Sequence, residues 1–273
     1  MSLRLARNLP DGVPYTPGSP YAMVMNFLRF VPAYRRLIGD RLITSVTEEG
    51  EKHVGIHVKG FEGTLYFPRN VPLYNLRYSL PEQIYRWHWH YYQLPQTRVE
   101  DGDVVFDCGS AEGAFPFLNR HRKCAIYFFE PLPNFTEALQ RTFAGTQKVK
   151  IVPSAVGEKR AQAYVGGSGL DGHVTFENTG RPVMIESIDE YCAEHKLALN
   201  YLKADLEGYE MNALRGAAET ILKHKPRIAI TTYHRKEDPV EICAWLKRVN
   251  PAYRMLLKGL NKMHGNPVML HAW

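Results

Sequence analysis

Acids and one histidine recur in this chain where apolar runs stop. Asp107 follows Val104-Val105-Phe106, Glu130 follows the run from Cys124 to Phe129, Asp205 and Glu207 follow Tyr201-Leu202-Lys203-Ala204, and His234 closes Arg227 to Tyr233. The stretch Asp107-Cys-Gly109-Ser110-Ala-Glu-Gly113 has the form of a strand-to-helix turn, where missing Cβ atoms let backbone amides approach a ligand. A helix expected from about Glu112 to His121 would aim its positive end at the same place, which suits a carboxylate or a phosphate. Such a turn suits a nucleotide-like molecule; the plainer alternative is a turn whose small residues only let it close tightly.

The turn itself carries neither the Gly-x-Gly-x-x-Gly of dinucleotide sites nor the Gly-Lys-Ser/Thr of a P-loop, which disfavours a nicotinamide oxidoreductase. Glu130, followed by Pro131, stands where a ribose diol needs an acceptor, because one carboxylate can accept from both hydroxyls. Asp107 and Glu130 are about half a βαβ unit apart, as expected of two groups lining one crevice. Ser154 and Ala155 close the next apolar run, and their small size suits contact with a flat purine.

These residues need a scaffold. Strands are expected at 104–106, 124–129, 149–156, 201–206 and 227–233, alternating with helices at 134–143, 186–195, 209–223 and 239–249. Two last strands, 253–258 and 267–271, have no helix between them. The pattern predicts a doubly wound α/β sheet with an antiparallel edge. In such sheets ligands sit beyond the carboxyl ends of the strands, where these acids fall.

Before Glu100 lies an N-terminal extension, so the expected division is 1–98 and 99–273. Residues 1–20 read as an irregular arm. Tyr21 to Ile43 is apolar at near-helical spacing with four arginines interspersed and Pro32 breaking it. It is open to two readings: a basic amphipathic helix in peripheral contact with a membrane face, or a cover helix packed on the core or on a second subunit. Residues 53–67 read as a β-hairpin, and Pro81 to Tyr92 as an aromatic helix. His88 and His90 would face nearly opposite ways on that helix and could not share a metal, so they read as core or surface histidines. Tyr164 to Glu177, with its glycines between two short β-like runs, reads as a long loop or hairpin over the site.

At 273 residues the chain can bury a full core, and its formal charge of +6 comes without a long basic block, so nucleic acid is not an expected partner. The four cysteines, 108, 124, 192 and 243, form no C-x-x-C pair and read as reduced thiols of a cytoplasmic protein. The N-terminus lacks the apolar core of a secretion signal, and no stretch is long and apolar enough to span a bilayer.

GDVVFDCGSAEG, FFEP, SAVG, ESIDEY, YLKADLEGYEMNALRGA and TTYH, in this order, resemble the FkbM-type S-adenosylmethionine-dependent methyltransferases from about Glu100 to Tyr253. The resemblance implies a seven-stranded class I methyltransferase (Rossmann-like) fold, an S-adenosyl-L-methionine cofactor and O-methylation of a hydroxyl on a carbohydrate, glycolipid or secondary metabolite. By it, Asp107, Gly109, Ser110 and Gly113 would hold the methionine end, Glu130 and Pro131 the ribose side, and Asp205 and Glu207 would border the transferred methyl. Ala111 stands where the family commonly has Asn, and Glu112 where an apolar residue is common. Methyl transfer requires an acceptor oxygen aligned behind the methyl carbon and a base to take its proton. Asp205, His234 and Glu207 are the candidates for the base. No metal is expected: Asp205 and His234 would offer two ligands, with no third or fourth evident. The competing expectation is a non-catalytic binding protein that keeps the fold.

Overall fold

The computed structural model describes residues 9–28, 31–166, 173–178, 180–261 and 265–273. In chain order the elements are β1 (Tyr15–Thr16), α1 (Pro20–Leu28), α2 (Pro32–Asp40), β2 (Ile43–Glu49), β3 (His53–Val58), β4 (Leu65–Pro68), α3 (Leu73–Ile84), β5 (Val104–Cys108), α4 (Ala114–Asn119), β6 (Ala125–Phe129) and α5 (Pro133–Thr142). There follow β7 (Val149–Val152), β8 (Ser154–Gly157), β9 (Ala161–Gly166), β10 (His173–Thr175), β11 (Arg181–Ser187), α6 (Ile188–His195), β12 (Tyr201–Ala204), α7 (Glu210–Arg215), α8 (Ala218–His224), β13 (Arg227–Thr231), α9 (Asp238–Val249), β14 (Met255–Lys258) and β15 (Met269–Ala272).

Eight strands form the central sheet in the order β1-β14-β15-β13-β12-β5-β6-β7. All neighbours are parallel except β15, which runs antiparallel to β13 and β14. The expected seven strands are therefore joined by an eighth, the two-residue β1 from the N-terminal arm. Strand order reverses between β5 and β12, which opens a crevice above their carboxyl ends.

Period-two alternation divides each central strand between two cores. Phe106, Phe129, Leu202, Ala204, Ile228 and Ile230 pack with the inner faces of α6 to α9. Val105, Ile126, Phe128, Tyr201 and Ala229 pack on the other face with α4, α5 and the N-terminal segment, including Leu76, Trp89 and Tyr92. The extension thus covers one side of the sheet. Within it, β3 and β4 pair antiparallel and β2 adds a third strand. α1 buries Ala22 and Asn26 but leaves Tyr21, Val24, Phe27 and Leu28 exposed. Among the described residues no helix is long and apolar enough to cross a membrane.

Four expected elements differ. The strand at 149–156 divides at Pro153, which has no N–H to give to a ladder. Only β7 stays in the central sheet, while β8 joins the separate sheet β10-β9-β11-β8. The helix expected at 209–223 is two helices. Between them Gly216 packs so tightly on β8 that an added Cβ would lie 2.1 Å from the Gly157 carbonyl oxygen. The aromatic helix at Pro81 to Tyr92 is instead the end of α3 followed by turns from Tyr85. Finally, α4 has only six residues, too short to lend the turn the expected dipole. Most of the glycine loop, 167–172, lies outside the described residues.

Candidate active site

Buried β5 leads into the turn at the centre of the sheet. Gly109 adopts φ 73° and donates its N–H to the Phe129 carbonyl oxygen at 3.0 Å; a Cβ there would stand 2.0 Å from the Asp205 carbonyl oxygen. The turn is thereby pressed against the ends of both β6 and β12. Ala111 is also left-handed, at φ 43°, a conformation Asn tolerates better than Ala. That explains why an Asn is at home at this position. Gly113 donates to the Ser110 carbonyl at 2.7 Å and caps α4.

Above the turn lies a cavity of about 530 Å³, within the range of small-molecule sites. Gly109, Ser110, Ala111, Glu130, Pro131, Ala155, Asp205 and Glu207 all line it. Asp107, Gly113, Ser154 and His234 do not line it. Glu130 is buried, and its two oxygens accept from the Ala111 and Leu132 backbone N–H groups, each at 2.8 Å. Burial nevertheless dominates those donors and lifts its pKa to about 7.

Asp107 is fully buried beneath the turn. Parallel pairing of β5 with β12 sets Lys203 directly opposite it, and Lys203 Nζ lies 2.9 Å from Asp107 Oδ1 while donating to the Gly109 carbonyl at 2.6 Å. Burial alone would lower the Lys203 pKa, but the Asp107 and Asp205 carboxylates outweigh it and the ammonium is held charged. Asp107 therefore fixes the turn through Lys203.

Asp205 takes the Tyr92 hydroxyl on Oδ2 at 2.7 Å, and Thr231 Oγ1 lies 3.4 Å from its Oδ1. Burial opposes its ionisation, yet His90, His234, Lys203 and the Tyr92 hydrogen bond together hold its pKa below the usual carboxylate range. His234 is ringed by acids. Nδ1 lies 2.7 Å from Glu210 Oε1, and Nε2 lies 3.4 Å from Glu207 and 3.8 Å from Asp205. Burial would lower its pKa, but Glu207, Glu210 and Asp205 prevail and push it up to about 11, so it is an imidazolium at neutral pH. Glu207 is left-handed at φ 51°, the kind of backbone strain found at binding sites.

Several groups here escaped the sequence. Glu210 is the third possible metal ligand, offering an atom within 4.8 Å of those of Asp205 and His234. Its Oε1 also accepts from Leu206 N–H and from the Thr231 hydroxyl. Its signal was its place four residues after Leu206, at the start of a helix. Lys203 announced itself as a charge inside an apolar strand, which needs a partner. Tyr92 gave no such sign. His88 and His90 do converge, contrary to the helical expectation: the turns after α3 bring both buried rings to Glu82, with His90 Nδ1 2.9 Å and His88 Nε2 4.0 Å from its carboxylate.

The lining is of a kind that an adenosyl sulfonium could occupy: a buried carboxylate at Glu130, apolar and small walls in Pro131, Leu132 and Ala155, and an anion at Asp205. A family model described as the methyltransferase FkbM domain matches residues 107–254, more than half of the chain. No curated protein matches. Among solved structures, the methyltransferase FkbM of Methylobacillus flagellatus KT is similar at 23% identity and TM-score 0.53, covering 67% of this chain and 46% of that one. The chain thus spans about half the length of that structure. Looser likenesses are an rRNA methylase from Streptococcus thermophilus (12% identity, TM-score 0.39, 64% and 87% covered) and Aeropyrum pernix fibrillarin in complex with S-adenosyl-L-methionine (10%, 0.37, 84% and 98%). The sheet is that of a methyltransferase-like α/β fold, mixed and mostly parallel. With the matched residues running from the turn at Asp107 through Asp205 to His234, the chain belongs to the FkbM methyltransferase family.

Proposed function

We propose that the protein is an S-adenosylmethionine-dependent O-methyltransferase whose acceptor is a hydroxyl of a carbohydrate, glycolipid or secondary metabolite. The observation that carries this reading is a buried Glu130 at the end of β6, lining one cavity with the glycine turn and with Asp205. When bound, S-adenosylmethionine supplies an electrophilic methyl group on a sulfonium. Glu130 would accept the two ribose hydroxyls with lone pairs that the Ala111 and Leu132 amides leave open. Pro131, Leu132 and Ala155 would flank the base, and Gly109 and Ser110 would meet the methionine end. Asp205, an anion fixed by Tyr92, would face the sulfonium charge and help to hold it over the acceptor. His234, 2.7 Å from Glu210 and 3.4 Å from Glu207, would balance the charge of this cluster of acids.

Calorimetry with S-adenosylhomocysteine, followed by transfer of labelled methyl from S-adenosylmethionine to a panel of alkyl glycosides, tests the proposal. Binding with transfer supports it. Binding without transfer to any hydroxyl would favour a cofactor-fold binding protein, and no binding would refute the reading of the cavity.

A further inference from the structure

The acids and His234 around Asp205 are partnered with one another. Asp205 Oδ2 accepts from the Tyr92 hydroxyl, and both His234 nitrogens face carboxylates. Glu207 reaches the cavity but points an oxygen at His234 Nε2. Another imidazole stands near Asp205. His90 lines the same cavity, from the turns that the N-terminal segment lays over the sheet, and it is buried.

Its orientation is fixed on three sides. Nδ1 lies 2.9 Å from Glu82 Oε2, and Glu82 comes from α3. The His90 backbone N–H donates to His88 Nδ1 at 3.1 Å. Its ring packs against Tyr233 at 5.1 Å and Tyr92 at 6.1 Å between centroids. An ionised carboxylate only accepts, so the proton of a neutral His90 sits on Nδ1 and the lone pair on Nε2. Nε2 has no hydrogen-bond partner among the described residues, and His90 is one of the residues that line the cavity. A histidine oriented through Nδ1 by a buried carboxylate, with Nε2 open to a ligand cavity, is the geometry of a general base.

We propose that His90 is the catalytic base of this protein, oriented by Glu82, and that the N-terminal segment thereby completes the active site. This rests on the methyltransferase reading above. His90 Nε2 takes the proton of the acceptor hydroxyl, whose oxygen keeps the electron pair. That oxygen bonds to the methyl carbon as the carbon–sulfur bond breaks, its pair going to sulfur, which leaves as a neutral thioether. The imidazolium formed at His90 faces the Glu82 carboxylate and returns its proton to water. Neither Glu82 nor His90 lies within the residues that the family model matches, so the base belongs to the part of the chain outside that model.

The test follows His90 by NMR with ring-labelled histidine, using His90→Gln to assign its signal and thermal unfolding to verify that the variant is folded. Groups that face the ring are Glu82 from α3, His88 and Tyr92 on its own segment, Tyr233 after β13, and Asp205 after β12. Titrations are compared in two complexes of the full chain: with S-adenosylhomocysteine, whose sulfur is neutral, and with sinefungin, which carries an ammonium in place of the methyl sulfonium. A base at the reacting centre meets that added charge, so the His90 midpoint falls by about one pH unit in the second complex. Glu82→Gln lowers the midpoint in both complexes. An equal His90 midpoint in the two complexes, with both ligands bound by calorimetry, would overturn the assignment. If neither ligand binds, the cofactor reading itself falls, and the base with it.

Discussion

Replacing Glu130 by Gln isolates the contact on which cofactor binding depends. In the wild type each carboxylate oxygen takes one backbone N–H, from Ala111 and from Leu132, both at 2.8 Å. Glutamine keeps one acceptor and turns an amine toward the other N–H, so an internal hydrogen bond is lost along with the charged acceptor for the ribose. A hydrogen bond to a charged group contributes about 1.5–3 kcal/mol, so the dissociation constant for S-adenosylhomocysteine should rise roughly 10- to 150-fold. Acidity supplies an independent signature. Burial sets the free Glu130 pKa at about 7, and only the anion accepts from both hydroxyls. Wild-type affinity should therefore weaken as pH falls below that value, by up to about tenfold per pH unit, and level off above it. Glu130→Gln should abolish this slope. Calorimetry across pH 6 to 8 on both proteins measures each effect. Equal affinity of the two proteins, or the same slope in both, would show that the ribose lies elsewhere.

His234 gives a stability test. Its pKa is raised to about 11, so its contribution is fully present below about 6.5, the unfolded value, and is lost as pH rises toward 11. Thermal unfolding of wild type should fall over that window, and His234→Gln should flatten the fall while lowering the melting temperature at neutral pH. Lys203→Met would strand the buried Asp107 charge and should destabilise the fold by about 3–5 kcal/mol; urea unfolding reads it, and a loss below about 1 kcal/mol would mean that the pair does not hold the turn. Tyr92→Phe removes a hydrogen bond to an anion and should cost about 1.5–3 kcal/mol by the same assay. Gly109→Ala forces a Cβ toward the Asp205 carbonyl at a left-handed φ, and should abolish S-adenosylhomocysteine binding or prevent folding.

The sheet and the turn were legible because their signals are local. Val104 to Phe106 has no polar face to offer water, and Asp107 to Gly113 is small where β6 and β12 crowd it. Glu130 and Asp205 could be placed for the same reason, as acids ending apolar runs. What sequence could not supply was set by pairing at a distance. Lys203 meets Asp107 only through the register of β12 on β5. Tyr92 reaches Asp205 across 113 residues, and Glu82 collects two histidines only because the chain leaves the helix at Tyr85. The proton on His234 follows from three carboxylates, of which the sequence suggested two. Pro153 was visible throughout, and its consequence, a strand handed to a second sheet, is one a period-two pattern does not register.

A crystal structure of the full chain soaked with S-adenosylhomocysteine tests the central claim most directly. The account predicts the ribose hydroxyls on Glu130, the purine against Pro131 and Ala155, and the sulfur facing the gap between Asp205 and His90. A ligand seated with its ribose away from Glu130, or a cavity that stays empty at saturating ligand, would contradict it.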